Sequence, residues 1–165
     1  MSPPGHHERD AGGVACAVLT ISDTRTPETD GSGRRIRELL AEHGHATVHY
    51  TILKDDPASI AAAIRSLPED AEAVILNGGT GLARRDTTFE AVRTLLDKEI
   101  SGFGELFRML SYEQIGAAAM LSRATAGVSG TRIIFSIPGS SAAVELAMVK
   151  LILPQLGHVV GLVRG

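Results

Sequence analysis

The sequence predicts an α/β fold, a doubly wound, mostly parallel sheet with helices on both faces. Short apolar runs rich in β-branched residues alternate along the chain with longer segments whose apolar residues recur at helical spacing. Polar or glycine-rich turns follow these runs, at the carboxyl ends of the predicted strands. Ligands of open α/β sheets bind at that edge, so a binding site is expected there.

The composition fits one globular domain with a substantial core, since 165 residues are 44% hydrophobic and 21% charged. We expect a flexible tail over residues 1–12, which are polar and lack a secretory pattern, and one domain over 13–165. A net charge of −3 and the lack of tryptophan argue against a nucleic-acid partner. No apolar run reaches the roughly 20 residues of a membrane span, so we predict a cytoplasmic protein with no membrane partner.

The first predicted strand, residues 13–22, is almost continuously apolar, as expected for a central strand covered on both faces. It ends in Ser22 and Asp23, which place a hydroxyl and a carboxylate at the strand end. Ligand contact and a capped turn both explain this pair. A polar loop over residues 26–33 is predicted to be mobile, and the helix after it ends at Gly44.

The second predicted strand, residues 46–53, leads to Asp55, Asp56 and Pro57. Proline is well suited to the first turn of a helix, so a helix is expected from Pro57. Such a pair usually complements the dipole at the start of the helix. The two aspartates also follow a strand, so a role at the ligand edge of the sheet is open as well.

The third predicted strand, residues 73–77, is followed by a glycine-rich loop and a helix that buries Phe89 and Val92. Glycines let a backbone turn tightly and bring its N–H groups to an anion, so phosphate is the expected ligand. Asp86 adds a hard carboxylate suited to Mg²⁺. A sharp turn with no ligand explains the glycines as well. The candidate residues in this loop are Gly78, Gly79, Thr80, Gly81, Asp86 and Thr87.

The second half of the chain is less regular. Residues 97–111 predict an irregular entry into a helix. Residues 116–128 are small and apolar on every side, which predicts a helix buried all round, preferably against another subunit.

A last strand is predicted over residues 131–137, followed by the turn Pro138-Gly139-Ser140 and a long apolar helix. The turn is either a second phosphate site or a cap in which Ser140 begins the helix. Together, the four strand-end loops converge on one crevice. Two carboxylates with backbone donors and hydroxyls there favour Mg²⁺-assisted phosphoryl or nucleotidyl transfer.

In this order, the motifs of the chain resemble the MoaB/MogA family of molybdenum cofactor biosynthesis proteins, and the second half is closer to the MoaB branch. The motifs that carry the resemblance are Thr20-Ile21-Ser22-Asp23, Asn77-Gly78-Gly79-Thr80-Gly81 with Asp86, Gly102-Phe103-Gly104-Glu105, Ser122-Arg123 and Pro138-Gly139-Ser140. The resemblance covers the chain from about Val14 onwards.

The resemblance implies a molybdopterin-binding protein that forms a trimer or a hexamer. It also implies adenylylation of molybdopterin with ATP and Mg²⁺, with Asp55 and Asp86 as catalytic and Mg²⁺-binding carboxylates. The alternative is a molybdopterin-binding or scaffold protein of the same pathway without catalysis. The predicted substrate- and nucleotide-binding residues are Ser22, Asp23, Gly78, Gly79, Thr80, Gly81, Thr87, Glu105, Ser122, Pro138, Gly139 and Ser140.

Overall fold

A computed structural model describes residues 12–165 and confirms the α/β prediction. The predicted tail, residues 1–12, lies outside the described part except for Gly12. The strands are β1 (Ala15–Ile21), β2 (Ala46–Leu53), β3 (Ala73–Asn77), β4 (Lys98–Glu99), β5 (Thr125–Ser129) and β6 (Arg132–Ile137). The helices are α1 (Gly31–Glu42), α2 (Pro57–Arg65), α3 (Thr88–Leu95), α4 (Ser101–Ile115), α5 (Ser141–Ala147) and α6 (Leu153–Arg164). A 3₁₀ helix (Gly116–Leu121) follows α4, and a π-helical turn (Met148–Ile152) joins α5 to α6.

The strands form one mixed sheet in the order β2-β1-β3-β6-β5-β4. The first four strands in this order are mutually parallel, whereas β5 runs antiparallel to both β6 and β4. The sheet is therefore mostly parallel, as predicted, with an antiparallel extension at one side that the sequence analysis did not anticipate.

Helices cover both faces of the sheet, and β1 shows why its sequence is apolar throughout. Cys16 and Val18 pack into the core beneath α1, α4, α5 and α6. Ala17 and Leu19 point the other way, into the core beneath α2 and α3. Because successive side chains of a strand alternate between faces, a strand buried on both sides has no position for a polar surface residue.

The register of the parallel strands brings their carboxyl ends to one edge of the sheet. Thr20 of β1 lies opposite Asn77 of β3, which in turn lies opposite Ile137 of β6. On the other side of β1, Ile21 lies opposite Leu53. The loops that follow these strands therefore start side by side, which is the convergence expected from the sequence.

The prediction of one buried helix over residues 116–128 is wrong. The segment forms a short 3₁₀ helix and then strand β5, and the side chain of Met120 is 75% exposed. Gly116 adopts a φ of 67°, which ends α4. Ala126 then pairs with Phe135, so the ladder with β6 satisfies the backbone of this small-residue segment.

The continuous helix from Ser141 to Arg164 is, by length and composition alone, long and apolar enough to cross a membrane. This differs from the sequence-based expectation that no segment reaches such a length. Its buried residues, among them Val144, Met148 and Leu156, pack into the core on one face of the sheet. A core helix passes the same length and composition test, and we interpret this helix as one.

Arg132, at the start of β6, ties the end of α2 to the sheet. Its guanidinium donates hydrogen bonds to four backbone carbonyl oxygens at the end of α2 and in the turn after it, at 2.7 to 3.4 Å. A lysine keeps the charge but cannot donate in a planar fork. We expect Arg132→Lys to lower the free energy of unfolding by about 1–3 kcal/mol, measured by urea denaturation.

The matched control is Arg65→Lys, because Arg65 is exposed on α2. We expect that change to stay within about 0.5 kcal/mol of the unmodified protein. Equal stability of the two variants would show that the fork of Arg132 does not stabilise the fold.

Candidate functional site

Three loops meet in direct contact at the carboxyl edge of the sheet. The N–H of Gly78 donates to the carbonyl oxygen of Ile137, at 2.9 Å. A Cβ on Gly139 would lie 3.3 Å from the Cα of Gly78, so the two turns are in contact. The N–H of Ser22 donates to the carbonyl oxygen of Leu53 at 2.8 Å, which anchors the third loop beside them.

The glycines of the loop after β3 are required by contacts within the protein. Gly78 and Gly79 have φ values of 109° and 68°, in the region that favours glycine. A Cβ on Gly79 would lie 2.6 Å from Asp55 Oδ2, and one on Gly81 would lie 2.7 Å from Asp86 Oδ2. The glycines thus let both predicted carboxylates lie against the loop backbone, so their presence does not by itself require a bound phosphate.

Asp55 connects the loop after β2 to the start of α3. Its Oδ1 accepts hydrogen bonds from the N–H and the hydroxyl of Thr87, at 3.0 and 2.7 Å. The N–H of Asp55 donates to Asp23 Oδ1 at 3.3 Å, which brings the loop after β1 alongside. Among the described residues, Asp55 Oδ2 has no hydrogen-bond partner and remains available to a ligand.

Asp86 makes a hydrogen bond within the glycine loop. Its Oδ2 accepts a hydrogen bond from the N–H of Ala83, at 3.0 Å. Its Oδ1 has no hydrogen-bond partner within residues 12–165. Each of the two predicted carboxylates therefore uses one oxygen to shape the loop and leaves the other free.

The donor set at this loop fits a hard cation. The hydroxyl oxygen of Thr88 is buried and has no hydrogen-bond partner, and it faces the same point over Gly79 as Asp55 Oδ2. No group of three or more His, Cys, Asp or Glu side chains with metal-binding geometry occurs in the described residues. Mg²⁺ commonly uses one or two carboxylates and takes its other ligands from water and phosphate. The residues present therefore fit Mg²⁺ bound together with a phosphate ligand.

A cavity of about 350 Å³ adjoins the glycine loop and contains most of the predicted binding residues. The predicted residues that line it are Gly79, Thr80, Gly81, Asp86, Ser122, Pro138, Gly139 and Ser140. Its opposite wall comes from α4 and the 3₁₀ helix, through Phe107, Ser111, Ile115 and Ala119. The sequence analysis missed this wall, although the four-residue spacing of Phe107, Ser111 and Ile115 places them on one helix face.

Six predicted residues do not line this cavity, namely Ser22, Asp23, Asp55, Gly78, Thr87 and Glu105. Glu105 lines a second cavity of about 330 Å³, which shares Ser122 with the first. The hydroxyl oxygen of Ser122 is buried without a hydrogen-bond partner. The hydroxyl of Ser22 accepts from the N–H groups of Thr24 and Arg25, so the capped turn that the sequence left open is present.

Ser140 also has a structural role. Its hydroxyl accepts a hydrogen bond from the N–H of Ala143 at 3.3 Å and caps α5, the second interpretation that the sequence left open. Ser140 still lines the larger cavity, so capping does not remove it from the candidate site.

Arg123 holds the glycine loop in place, a function that the sequence analysis did not assign. Its Nε and Nη2 donate to the carbonyl oxygens of Gly81 and Asp86, at 3.0 and 2.9 Å. Its Nη1 pairs with Glu90, and its N–H donates to the carbonyl oxygen of Thr80 at 3.0 Å. A single residue thus fixes both ends of the segment from Thr80 to Asp86.

Comparisons with known proteins agree with this architecture. A family model described as a probable molybdopterin binding domain matches residues 17–158. The molybdenum cofactor biosynthesis protein B of Bacillus cereus is 56% identical over an alignment of 162 residues that covers 96% of this chain and 96% of that one. A crystal structure of a molybdenum cofactor biosynthesis protein B has a TM-score of 0.90 and 57% identity, over 92% of this chain and 96% of that one. A structure of MogA has a TM-score of 0.82 and 25% identity, over 90% and 99%.

The contacts of Arg123 predict that it limits opening of the glycine loop. In Arg123→Gln, we expect the amide hydrogens of residues 81–87 to exchange faster by roughly tenfold or more, because hydrogen bonds to a charged donor are lost. Hydrogen exchange followed by mass spectrometry measures this effect. Arg84→Gln is the control, since Arg84 is exposed on the same loop. Equal exchange in both variants would contradict the assigned role.

Proposed function

This chain belongs to the molybdopterin-binding protein family of molybdenum cofactor biosynthesis, and we propose that within this pathway it transfers AMP from ATP to molybdopterin. One observation carries the proposal. The carboxylates of Asp55 and Asp86 lie at the two glycines of one loop, Gly79 and Gly81, and each keeps one oxygen without a hydrogen-bond partner among the described residues. A cavity large enough for part of a nucleotide or pterin adjoins this loop. This arrangement suits a reaction between two phosphate groups.

In the proposed reaction, a terminal phosphate oxygen of molybdopterin attacks the α-phosphorus of ATP. The bond from that phosphorus to the oxygen that bridges the α- and β-phosphates breaks, and pyrophosphate leaves with both bonding electrons. The new phosphoanhydride forms directly between the substrates, so no covalent protein nucleophile is needed. The protein contributes by holding the two phosphates in line and by offsetting their charge.

The residues of the chain have separate tasks in this proposal. Asp55 and Asp86 would hold Mg²⁺ through their free oxygens, and the bound ion would neutralise charge on the phosphates. Gly79, Thr80 and Gly81 line the cavity, and their backbone N–H groups would approach the phosphates. Arg123 keeps that backbone fixed, which avoids reorganisation during the reaction.

A non-catalytic molybdopterin-binding protein is the second candidate. Two observations favour it. The glycines are explained by contacts within the protein, and one oxygen of each carboxylate already has a structural partner. The relatives with more than half of their residues identical are molybdenum cofactor biosynthesis proteins B, whose names state no reaction. Binding of molybdopterin without any binding of Mg-ATP would favour this candidate.

The catalytic proposal predicts the effect of neutralising Asp86. In Asp86→Asn, we expect pyrophosphate release from Mg-ATP and molybdopterin to fall by at least about a hundredfold, because a charge that holds Mg²⁺ is lost. The thermal midpoint should change little, since the amide oxygen can still accept from Ala83. Pyrophosphate release is followed with purified protein and both substrates.

Asp70→Asn provides the control, because Asp70 is exposed in the turn that precedes β3, at the opposite edge of the sheet. Its turnover should equal that of the unmodified protein. Unchanged turnover in Asp86→Asn would exclude the catalytic assignment of Asp86.

We also propose that copies of the chain associate through α4 and the 3₁₀ helix. Large apolar side chains are exposed there, namely Leu106, Met109, Tyr112, Ile115, Met120 and Leu121. Contiguous exposed apolar residues commonly mark a protein contact. This segment adjoins the larger cavity through Ile115, so a neighbouring copy would lie close to the candidate site.

A charge placed in this apolar surface should separate the copies. We expect Met109→Glu to lower the molar mass in solution towards that of one chain, measured by light scattering at matched concentrations, because association would bury the new carboxylate. Leu162→Glu is the control, since Leu162 is 67% exposed on α6 outside this surface. An unmodified protein that is already a single chain would contradict the proposal.

A further inference from the structure

Asp30 is a buried carboxylate beside the candidate site. Its side chain has no exposed surface, and it ends the loop before α1. Its Oδ1 accepts from the N–H of Gly33 at 2.9 Å, and its Oδ2 accepts from the hydroxyl of Tyr50 at 2.5 Å. The hydroxyl of Thr20 lies beside the same carboxylate, over Gly33, and contributes to lowering its pKa. A side chain with so many donors is held in one position.

The same network reaches the glycine loop. Asn77, the last residue of β3, donates from Nδ2 to Thr20 Oγ1 at 2.9 Å. Thr20 therefore accepts from Asn77, which leaves its own hydroxyl hydrogen available to the neighbouring carboxylate of Asp30. Because Asn77 immediately precedes Gly78, the buried carboxylate is connected to the start of the glycine loop through two side chains.

The hydrogen bonds keep Asp30 ionised in spite of its burial. Burial by itself raises the pKa of this carboxyl, but the hydrogen bonds from Tyr50, Thr20 and Gly33 and the charge of Arg25 together lower it below its ordinary value. A buried negative charge of this kind is costly unless a cation lies nearby.

Arg25 is that cation, and it is held at two points. Its Nη1 lies 3.5 Å from Asp30 Oδ1, and its Nη2 donates to the carbonyl oxygen of Gly139 at 3.0 Å. Its own N–H is bound to the hydroxyl of Ser22 at 3.0 Å. Ser32 also donates to the carbonyl oxygen of Gly139, at 2.7 Å, so the loop before α1 is fastened to the turn after β6.

The guanidinium of Arg25 retains donors for a ligand. A guanidinium has five N–H donors, and one of those of Arg25 is committed to Gly139. The Arg25 side chain is 33% exposed, and Gly139 lines the larger cavity. Arg123 differs, since its Nε, Nη1 and Nη2 all have protein partners.

The charge around the site also favours an anion at Arg25. Asp23, Asp55 and Asp86 all lie on the loops at this edge, so a phosphate group needs a positive charge to offset them. A guanidinium that is fixed before the ligand arrives loses little conformational entropy on binding.

We propose that Arg25 binds a phosphate group of the ligand and that buried Asp30 is a positioning residue, which orients the guanidinium of Arg25. The inference rests on the phosphate-binding part of the proposed function and does not require AMP transfer. The phosphate belongs either to the nucleotide or to molybdopterin, since both carry the same chemical group.

The first test compares three phosphate ligands by isothermal titration of the full chain. Arg25→Gln should weaken binding of the recognised ligand roughly ten- to hundredfold, because a charge-assisted pair of hydrogen bonds is lost. Weaker binding of Mg-ATP and pyrophosphate assigns the nucleotide as the source, and weaker binding of molybdopterin alone assigns the pterin phosphate.

The control is Arg34→Gln, which removes an equal charge from an exposed residue at the start of α1. It should bind all three ligands as the unmodified protein does.

Equal binding by Arg25→Gln and the unmodified protein would overturn the inference and leave the proposed AMP transfer standing. A protein that binds phosphate through Arg25 but releases no pyrophosphate would keep the inference and exclude AMP transfer. If the unmodified protein binds none of the three ligands, the inference is overturned.

A double-mutant cycle tests whether Asp30 acts through Arg25. Asp30→Asn should weaken phosphate binding when Arg25 is present and should have no further effect in the Arg25→Gln background. A merely structural role would weaken binding by the same factor in both backgrounds, which would overturn the assignment. If Asp30→Asn does not fold, Tyr50→Phe replaces it in the same cycle, because it removes one donor to the carboxylate and leaves the charge. Thermal midpoints are measured for every variant.

Discussion

The close approach of backbone segments at Gly78 is the constraint on which the site depends. Its N–H is bound to Ile137, a side chain there would collide with the carbonyl oxygen of Ile21, and Gly139 lies directly against it. Three neighbouring strands can therefore end in loops that touch. Any side chain at this position would push apart three segments, which are the loop with Asp23, the glycine loop and the turn after β6.

Polar groups at this edge serve the fold and the candidate site at the same time. Asp55 and Asp86 each bind the loop with one oxygen and leave the other free, while Ser140 caps a helix and lines the cavity. Because the bound oxygen of each carboxylate holds the side chain, its other oxygen is fixed before a ligand binds. This explains why the sequence left both a structural and a functional role open for these residues.

Two sequence-based expectations about local structure differ from what the structure shows, because contacts with other parts of the chain select the local conformation. Residues 116–128 read as a buried helix because small apolar residues fit a helix and a strand alike, and only the pairing with β6 selects the strand. The polar composition of residues 26–33 predicts a loop over the whole segment. In the structure, α1 already begins at Gly31, within this segment. Buried Asp30 binds the hydroxyl of Tyr50 on β2 and lies beside the guanidinium of Arg25, and both partners are outside the segment.

The sequence by itself determined the fold class and which loops follow the parallel strands. It also placed Asp55, Asp86 and the glycines in those loops. Local periodicity and turn chemistry carry that information, and the motifs also indicated the family. Only the tertiary structure decided that Arg123 holds the glycine loop, that α4 supplies a cavity wall, and that Arg25 reaches Gly139. These contacts join residues that are far apart in the chain or on separate elements, and pairing of that kind leaves no periodic signal in one sequence.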